Sequence, residues 1–167
     1  MVKKMVRKAL TEDFEFITSL YFHPNINPYL LYEMAELSQF PTIFDDLLSK
    51  NLLYIFEIEN KQAGMFKLVP LTYRNSHIVY LGGVALHPSF SGRGLGQQMM
   101  QEIIAFCQNQ GILRIELSTA TINERAIHLY EKVGFQKEGI LRRYTYMESE
   151  NKFLDEVMMA YLLEKEV

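Results

Sequence analysis

At 167 residues, 49% of them hydrophobic, the chain has the length of one domain and enough apolar material for a sizeable core. A net charge of −3 carries no basic excess, which argues against a nucleic-acid partner, and no acidic tail is present. The single cysteine, Cys107, excludes an internal disulfide and fits a reducing compartment.

Residues 1–8 are basic and run into Thr11-Glu12-Asp13 rather than an apolar core, so no signal peptide is expected. The longest apolar run, 157–163, is too short to span a bilayer. No repeat or linker interrupts the chain. The expectation is one cytoplasmic domain, 1–167, without a membrane partner.

Residues 2–9 read as a first strand. Thr11 is placed to cap a helix in which Phe14, Ile17 and Leu20 or Tyr21 recur at helical spacing. Pro24, Pro28 and Pro41 break 21–50 into short helices and turns. Residues 52–58 and 63–71 read as strands of a hairpin about Glu59-Asn60-Lys61-Gln62. Another strand spans 78–86, interrupted by Gly82-Gly83, a pair that marks a bulge or the close approach of a ligand.

A helix follows over about 94–110, with Leu95, Met99, Ile103 and Cys107 four apart on one face and Gly111 as its stop. Cys107 on that face reads as a small core residue. Residues 112–118 alternate as a strand. Asn123 caps the next helix, whose packed side carries Ala126, Ile127, Tyr130 and Val133 before Gly134 ends it. Strands 139–147 and 153–163 close the chain as a hairpin about Glu148-Ser149-Glu150-Asn151. This order predicts a mixed sheet with helices on its faces, in a single α/β or α+β layer fold.

The loop Ser91-Gly92-Arg93-Gly94-Leu95-Gly96 opens the long helix. Its glycines permit conformations closed to other residues, and a helix start adds unsatisfied N–H donors and partial positive charge. Arg93 adds a cation suited to phosphate. No Lys-Ser/Thr follows the last glycine, so the phosphate loop of nucleotide hydrolases is excluded, and the third glycine of a dinucleotide loop is replaced by Gln97. Alone, the loop leaves open an anion site or a plain helix start.

The run Val84-Ala85-Leu86-His87-Pro88 with residues 91–96, followed by Asn123, Ala126, Tyr130, Gly134 and Phe135, resembles the two core motifs of the GNAT superfamily of acetyl-CoA-dependent N-acyltransferases. The two motifs cover 84–135, in the family's order and spacing. One departure is Ser91, where Gln or Arg is usual. The resemblance implies a mixed, mostly antiparallel sheet of six to seven strands with helices on both faces. It implies acetyl-CoA as cosubstrate and transfer of the acetyl group to a primary amine, either a small molecule or a peptide N-terminus.

The resemblance also implies roles. The cofactor pyrophosphate would rest on N–H groups of Gly92, Arg93, Gly94, Leu95, Gly96 and Gln97. Val84, Ala85 and Leu86 would pair with the pantetheine arm and polarise the thioester carbonyl. Asn123 would contact the arm. Tyr130 matches the general acid that protonates the departing thiolate; its alternative is a packed aromatic. Many members place a basic carboxylate on the strand before the loop, but Tyr80-Leu81-Gly82-Gly83-Val84 holds none. Others place it five residues before the motif asparagine, where this chain has Ser118. Glu116, two residues earlier and on the same strand face, is the candidate base, against the alternatives of a merely paired carboxylate or a water chain.

Between the first strand and the hairpin, Tyr29, Tyr32, Phe40 and Phe44 mix with Glu33, Glu36, Asp45 and Asp46. That mixture suits a cationic acceptor, or else amphipathic helices with solvated acids. Tyr144 and Tyr146 are candidates for the opposite wall. His23, His77, His87 and His128 lack ligand spacing, so no metal is expected. A homodimer stays open, and the alternative function is a non-catalytic acyl-CoA-binding module.

Overall fold

The computed structural model describes residues 1–165. Alternating or continuous apolar runs form seven strands: β1 (Lys4–Lys8), β2 (Leu53–Ile58), β3 (Lys61–Pro70), β4 (Ile78–Leu86), β5 (Arg114–Ala120), β6 (Gln136–Met147) and β7 (Lys152–Leu162). The helical periodicities form α1 (Phe14–Tyr21), α2 (Phe40–Ser49), α3 (Leu95–Asn109) and α4 (Glu124–Val133). Pro41 does not break its segment but lies in the first turn of α2, where its missing N–H costs nothing. Short 3-10 turns at Asn27–Tyr29 and Met34–Gln39 fill the stretch between α1 and α2.

The strands lie in the order β1-β2-β3-β4-β5-β7-β6. Only β4 and β5 run parallel, so the sheet is the mixed, mostly antiparallel one that the motifs implied. The hairpin of β6 and β7 is present, but β7 runs back between β5 and β6 rather than lying at the edge. β6 begins at Gln136, directly after the Gly134-Phe135 stop of α4.

β4 and β5 pair only where Ile78, Val79 and Tyr80 face Arg114, Ile115 and Glu116. Beyond that point they part. A bulge in β4 falls in the same stretch: Met65 lies opposite Ala85 but Lys67 opposite Gly82, so β4 carries one extra residue. Gly83 adopts φ +58 there, and a Cβ would meet the Tyr21 hydroxyl at 2.6 Å. Glycine is therefore required by both conformation and space.

The back of the sheet is covered by α3 and α4. Met99, Ile103 and Cys107 pack there on Leu81, Ile115, Leu117 and Met159. Cys107 is buried in this layer, which pushes its thiol up to about 12 and leaves it a packing residue. The front is covered by α1 and α2, with Ile17, Leu20, Phe40 and Phe44 against Leu53, Ile55, Met65 and Ala85. Burying each such phenylalanine contributes roughly 1.5–3 kcal/mol. Among the described residues this front cluster takes its strand members from β2, β3 and β4 alone.

Among the described residues one carboxylate, Asp13, is fully buried. Asp13 accepts hydrogen bonds from Arg7 at 2.7 and 2.9 Å, from the Leu10 N–H at 2.7 Å and from Gln62 at 2.5 Å. Arg7 also holds Glu57 at 2.6 Å. Burial by itself raises the Asp13 carboxyl, but the Arg7, Leu10 and Gln62 bonds outweigh it and hold the group below its usual range. This cluster ties β1 to the start of α1. No helix among the described residues is long and apolar enough to cross a membrane.

Candidate active site

The parting of β4 and β5 opens a cavity of about 650 Å³, within the size range of small-molecule sites. It runs through the sheet, with α3 and α4 on the back side and Asn25, Ile26, Tyr29 and Leu30 at the front rim. Residues 81–86 of β4 have β3 on one edge. Their other edge has no strand partner, because β5 has already diverged. Val84, Ala85 and Leu86 all lie on the cavity wall.

The glycine loop enters by a short turn at Pro88–Phe90. The Ser91 hydroxyl donates to the Pro88 carbonyl at 2.8 Å and closes it. Gly92 and Gly94 then adopt φ +78 and +69, and the space where a Cβ would stand is open at both. α3 starts at Leu95 with no side-chain cap. An uncapped helix start behind two open glycines presents N–H donors and positive potential to an anion. That arrangement fits a pyrophosphate.

Gly92, Gly94, Gly96 and Gln97 line the cavity, whereas the side chains of Arg93 and Leu95 do not. The Arg93 guanidinium donates to the Ser89 carbonyl at 2.9 Å and lies over the Phe90 ring at 5.8 Å. The charged contact expected of it is thus folded back onto its own turn. Leu95 packs into the back core.

From α4, Asn123 and Tyr130 reach the cavity. Asn123 Oδ1 accepts from the Ala126 N–H at 3.4 Å and caps the helix, while its Nδ2 donates to Thr119 Oγ1 at 3.2 Å. It pins the start of α4 to β5. Tyr130 is half-buried, its ring 5.9 Å from that of Phe135. Burial, with a smaller effect from Tyr80, pushes its phenol up to about 12. The phenol therefore stays protonated at neutral pH and is available as a donor.

Glu116 does not reach the cavity. It occupies the last paired position before the strands part, opposite Tyr80. Its carboxylate accepts from Arg114 Nε at 2.8 Å, and Arg114 also holds Glu138 at 2.9 and 2.5 Å. The paired-carboxylate alternative describes it. Ser118, one alternation further along β5, is on the wall. Its hydroxyl donates to Glu156 Oε2 at 2.5 Å and lies 2.9 Å from the Tyr80 hydroxyl. Thr145 donates to the other Glu156 oxygen at 2.8 Å. Neither Glu156 nor Thr145 was singled out from sequence. The available signal was an acid at 156 in the alternation of Leu154 and Met158, directly ahead of the apolar run 157–163.

The aromatic-acidic stretch divides. Phe40 and Phe44 are buried in the front core, and Tyr32 sits edge-on to Tyr21 and Phe40. Only Tyr29 of that aromatic group reaches the rim. Glu33 accepts from the N–H groups of Glu148 and Ser149 at 3.1 and 3.2 Å and from the Ser149 hydroxyl, tying this stretch to the β6–β7 turn. Asp46 pairs with Lys50 at 2.8 Å on the exposed side of α2. Tyr144 and Tyr146 are exposed, the latter packed on Phe153, and neither lines the cavity.

A family model described as the acetyltransferase (GNAT) family matches residues 5–135. The N-alpha-acetyltransferase RimI of Mycobacterium tuberculosis is 36% identical over 61 residues, which are 36% of this chain and 37% of that protein. The L-amino acid N-acetyltransferase AaaT of Escherichia coli is 27% identical over 169 residues, 96% of this chain and 98% of that protein. The chain therefore spans well under half of the first relative and nearly all of the second. A solved spermidine N-acetyltransferase from Vibrio cholerae, in complex with CoA and spermine, superposes with a TM-score of 0.79 at 21% identity over 95% of each chain. At that identity the last likeness speaks to fold alone.

Proposed function

The chain belongs to the GNAT acetyltransferase family, and from that premise we propose that residues 1–167 form one domain that moves an acetyl group from acetyl-CoA to a primary amine by direct attack in a ternary complex. The observation that carries this is a single cavity holding an open strand edge, an uncapped helix start and a protonated phenol. The acceptor is a small amine or a peptide N-terminus. Similarity along almost the whole chain to an L-amino acid N-acetyltransferase supports the small-amine arm.

The thioester supplies an already activated acyl group, so positioning is the protein's first task. Backbone N–H groups of residues 92–97 hold the pyrophosphate at the start of α3. The free edge of Val84, Ala85 and Leu86 pairs with the pantetheine arm, as an added strand pairs with a sheet edge. One N–H of that edge meets the negative charge developing on the carbonyl oxygen. Asn123 keeps the far wall in register. Tyr130 donates its proton to the sulfur as the C–N bond forms and the C–S bond breaks. The phenolate then recovers a proton from the nitrogen, so Tyr130 ends as it began.

Against this stands a non-catalytic acyl-CoA-binding module, favoured by one observation: among the described residues no carboxylate lines the cavity. Thiol release from acetyl-CoA decides between them, tested with spermidine, L-phenylalanine and an alanine-initiated hexapeptide. Turnover with at least one acceptor is the expected result. Tight acetyl-CoA binding by calorimetry with no turnover on any acceptor selects the binding module.

A further inference from the structure

A primary amine is mostly an ammonium ion at neutral pH and must shed a proton before it attacks. Among the described residues the wall offers no carboxylate to take it. It does offer the Ser118 hydroxyl, whose proton is already committed. Ser118 Oγ donates to Glu156 Oε2 at 2.5 Å, so the 2.9 Å contact with Tyr80 must have the Tyr80 phenol as donor. Burial raises the Tyr80 phenol, which keeps it in the donor form. One lone pair of Ser118 Oγ is left over, on a residue that lines the cavity.

Glu156 is held for this geometry from both sides. It lies opposite Ala120 on β5 and Leu141 on β6. Between Leu141 and Thr145 the register shifts by two extra residues in β6, with Arg143 at φ +50 and its N–H donating to Asp155 Oδ1 at 2.7 Å. That bulge moves Thr145 opposite Leu154, the next residue on the face of Glu156, where its hydroxyl meets Glu156 Oε1 at 2.8 Å. Bulges of this kind re-aim side chains beside active sites. Thr145 and Ser118 each take one oxygen, leaving the carboxylate fixed and aimed at Ser118.

We propose that Glu156 is the terminal proton acceptor of the reaction, taking the acceptor's proton through the Ser118 hydroxyl. The inference rests on the acetyltransferase reading above. The ammonium passes a proton to Ser118 Oγ while the Ser118 proton moves to Glu156 Oε2. This leaves a neutral amine and a protonated carboxyl. The free pair on nitrogen then forms the C–N bond. Of the two protons the nitrogen sheds, one leaves to water through Glu156 and one replaces the proton given by Tyr130. Ser118 touches the substrate, and Glu156 acts through it. The other groups that bear on the pair are Tyr80 on β4, the Arg114-neutralised Glu116 on β5, Thr145 and Tyr144 on β6, and Tyr130 from α4.

The test is kcat/KM against pH for wild type and Glu156→Gln, using acetyl-CoA with spermidine, L-phenylalanine and the alanine-initiated hexapeptide. The expected loss for Glu156→Gln at pH 7 is about 100-fold with spermidine, whose alkyl amines titrate like lysine at about 10, and about tenfold with the hexapeptide, whose α-amino group titrates at about 8; both losses shrink toward pH 10, where the amine arrives without its extra proton. Acetyl-CoA affinity by calorimetry stays at the wild-type value. Ser118→Ala, which keeps the carboxylate but cuts the link, shows the same pH-dependent deficit and serves if Glu156→Gln does not fold. A loss equal at every pH, or no loss, overturns the relay while wild-type turnover leaves the acetyltransferase reading standing. A wild type that binds acetyl-CoA yet acetylates none of the three overturns both.

Discussion

The front of the sheet is built in two ways on either side of the β4–β5 split. Over β2, β3 and β4 it is sealed by α1 and α2: every residue of β2 except Tyr54 is buried, and Phe40 and Phe44 fill the layer. From the split outward over β5, β7 and β6 it carries a polar network in which Tyr80 of β4 meets Ser118, Glu156 and Thr145, and no residue of β6 is buried. The difference separates stability from chemistry. The sealed half excludes water and is expensive to perturb, while the open half leaves polar side chains partly exposed beside the split.

The strongest way to break this comparison is to hollow the sealed half. Phe40→Ala should cost about 3–5 kcal/mol by leaving a cavity in the front core, whereas Tyr144→Ala on the open half should stay within about 0.5 kcal/mol. Urea denaturation measures both, and equal losses would end the distinction.

Next in size is Asp13→Asn, expected to cost about 3 kcal/mol at pH 7 by removing the fully buried one of the two carboxylates that Arg7 pairs with, Glu57 remaining. The sign of its pH dependence follows from the Asp13 carboxyl lying below its usual range in the folded state. Its contribution is present above the unfolded value of about 4 and disappears as pH falls through the lower folded value. The gap between wild type and variant should therefore narrow as unfolding experiments are carried to lower pH. A gap that stays constant with pH contradicts the ion-pair account.

Tyr130→Phe should lower kcat by about 100-fold, or about 2.7 kcal/mol, with acetyl-CoA affinity kept. Because burial holds the wild-type phenol up at about 12, no alkaline loss of activity below pH 10 should trace to Tyr130. An unchanged kcat removes Tyr130 from the mechanism. The smallest effect is expected at Ser91→Arg, which adds a cation beside the helix start but gives up the hydroxyl bond to Pro88. A net tightening of acetyl-CoA binding by about 1 kcal/mol is expected from the charge-assisted contact. Calorimetry showing equal or weaker affinity would count against a pyrophosphate at that turn.

Much of the back of the molecule is legible in the amino-acid sequence. The apolar spacing of Leu95, Met99, Ile103 and Cys107 defined α3 because a helix brings every fourth residue to one face. Gly82-Gly83 marked the bulge because few other residues accept a positive φ beside the Tyr21 hydroxyl. Asn123 and Gly134 delimited α4 through local cap chemistry. The front was harder to read. Phe40 and Glu33 stand close in sequence, yet one is a core residue and the other a tie to the β6–β7 turn. Composition cannot separate such roles, because each depends on which distant element lies opposite.

The sequence by itself determined the elements whose signals are local: strand alternation, helix caps, the glycine turn ahead of α3, and the placing of Tyr130 on α4. Only the tertiary structure decided the order of the strands. With β7 between β5 and β6, Ser118 and Glu156 become neighbours across a ladder although they are far apart along the chain. The same order leaves Glu116 at the closed end of the split with Arg114, while Ser118 stands at the open end. Strand insertion is set by the packing of whole faces against one core, and no short window of residues records it.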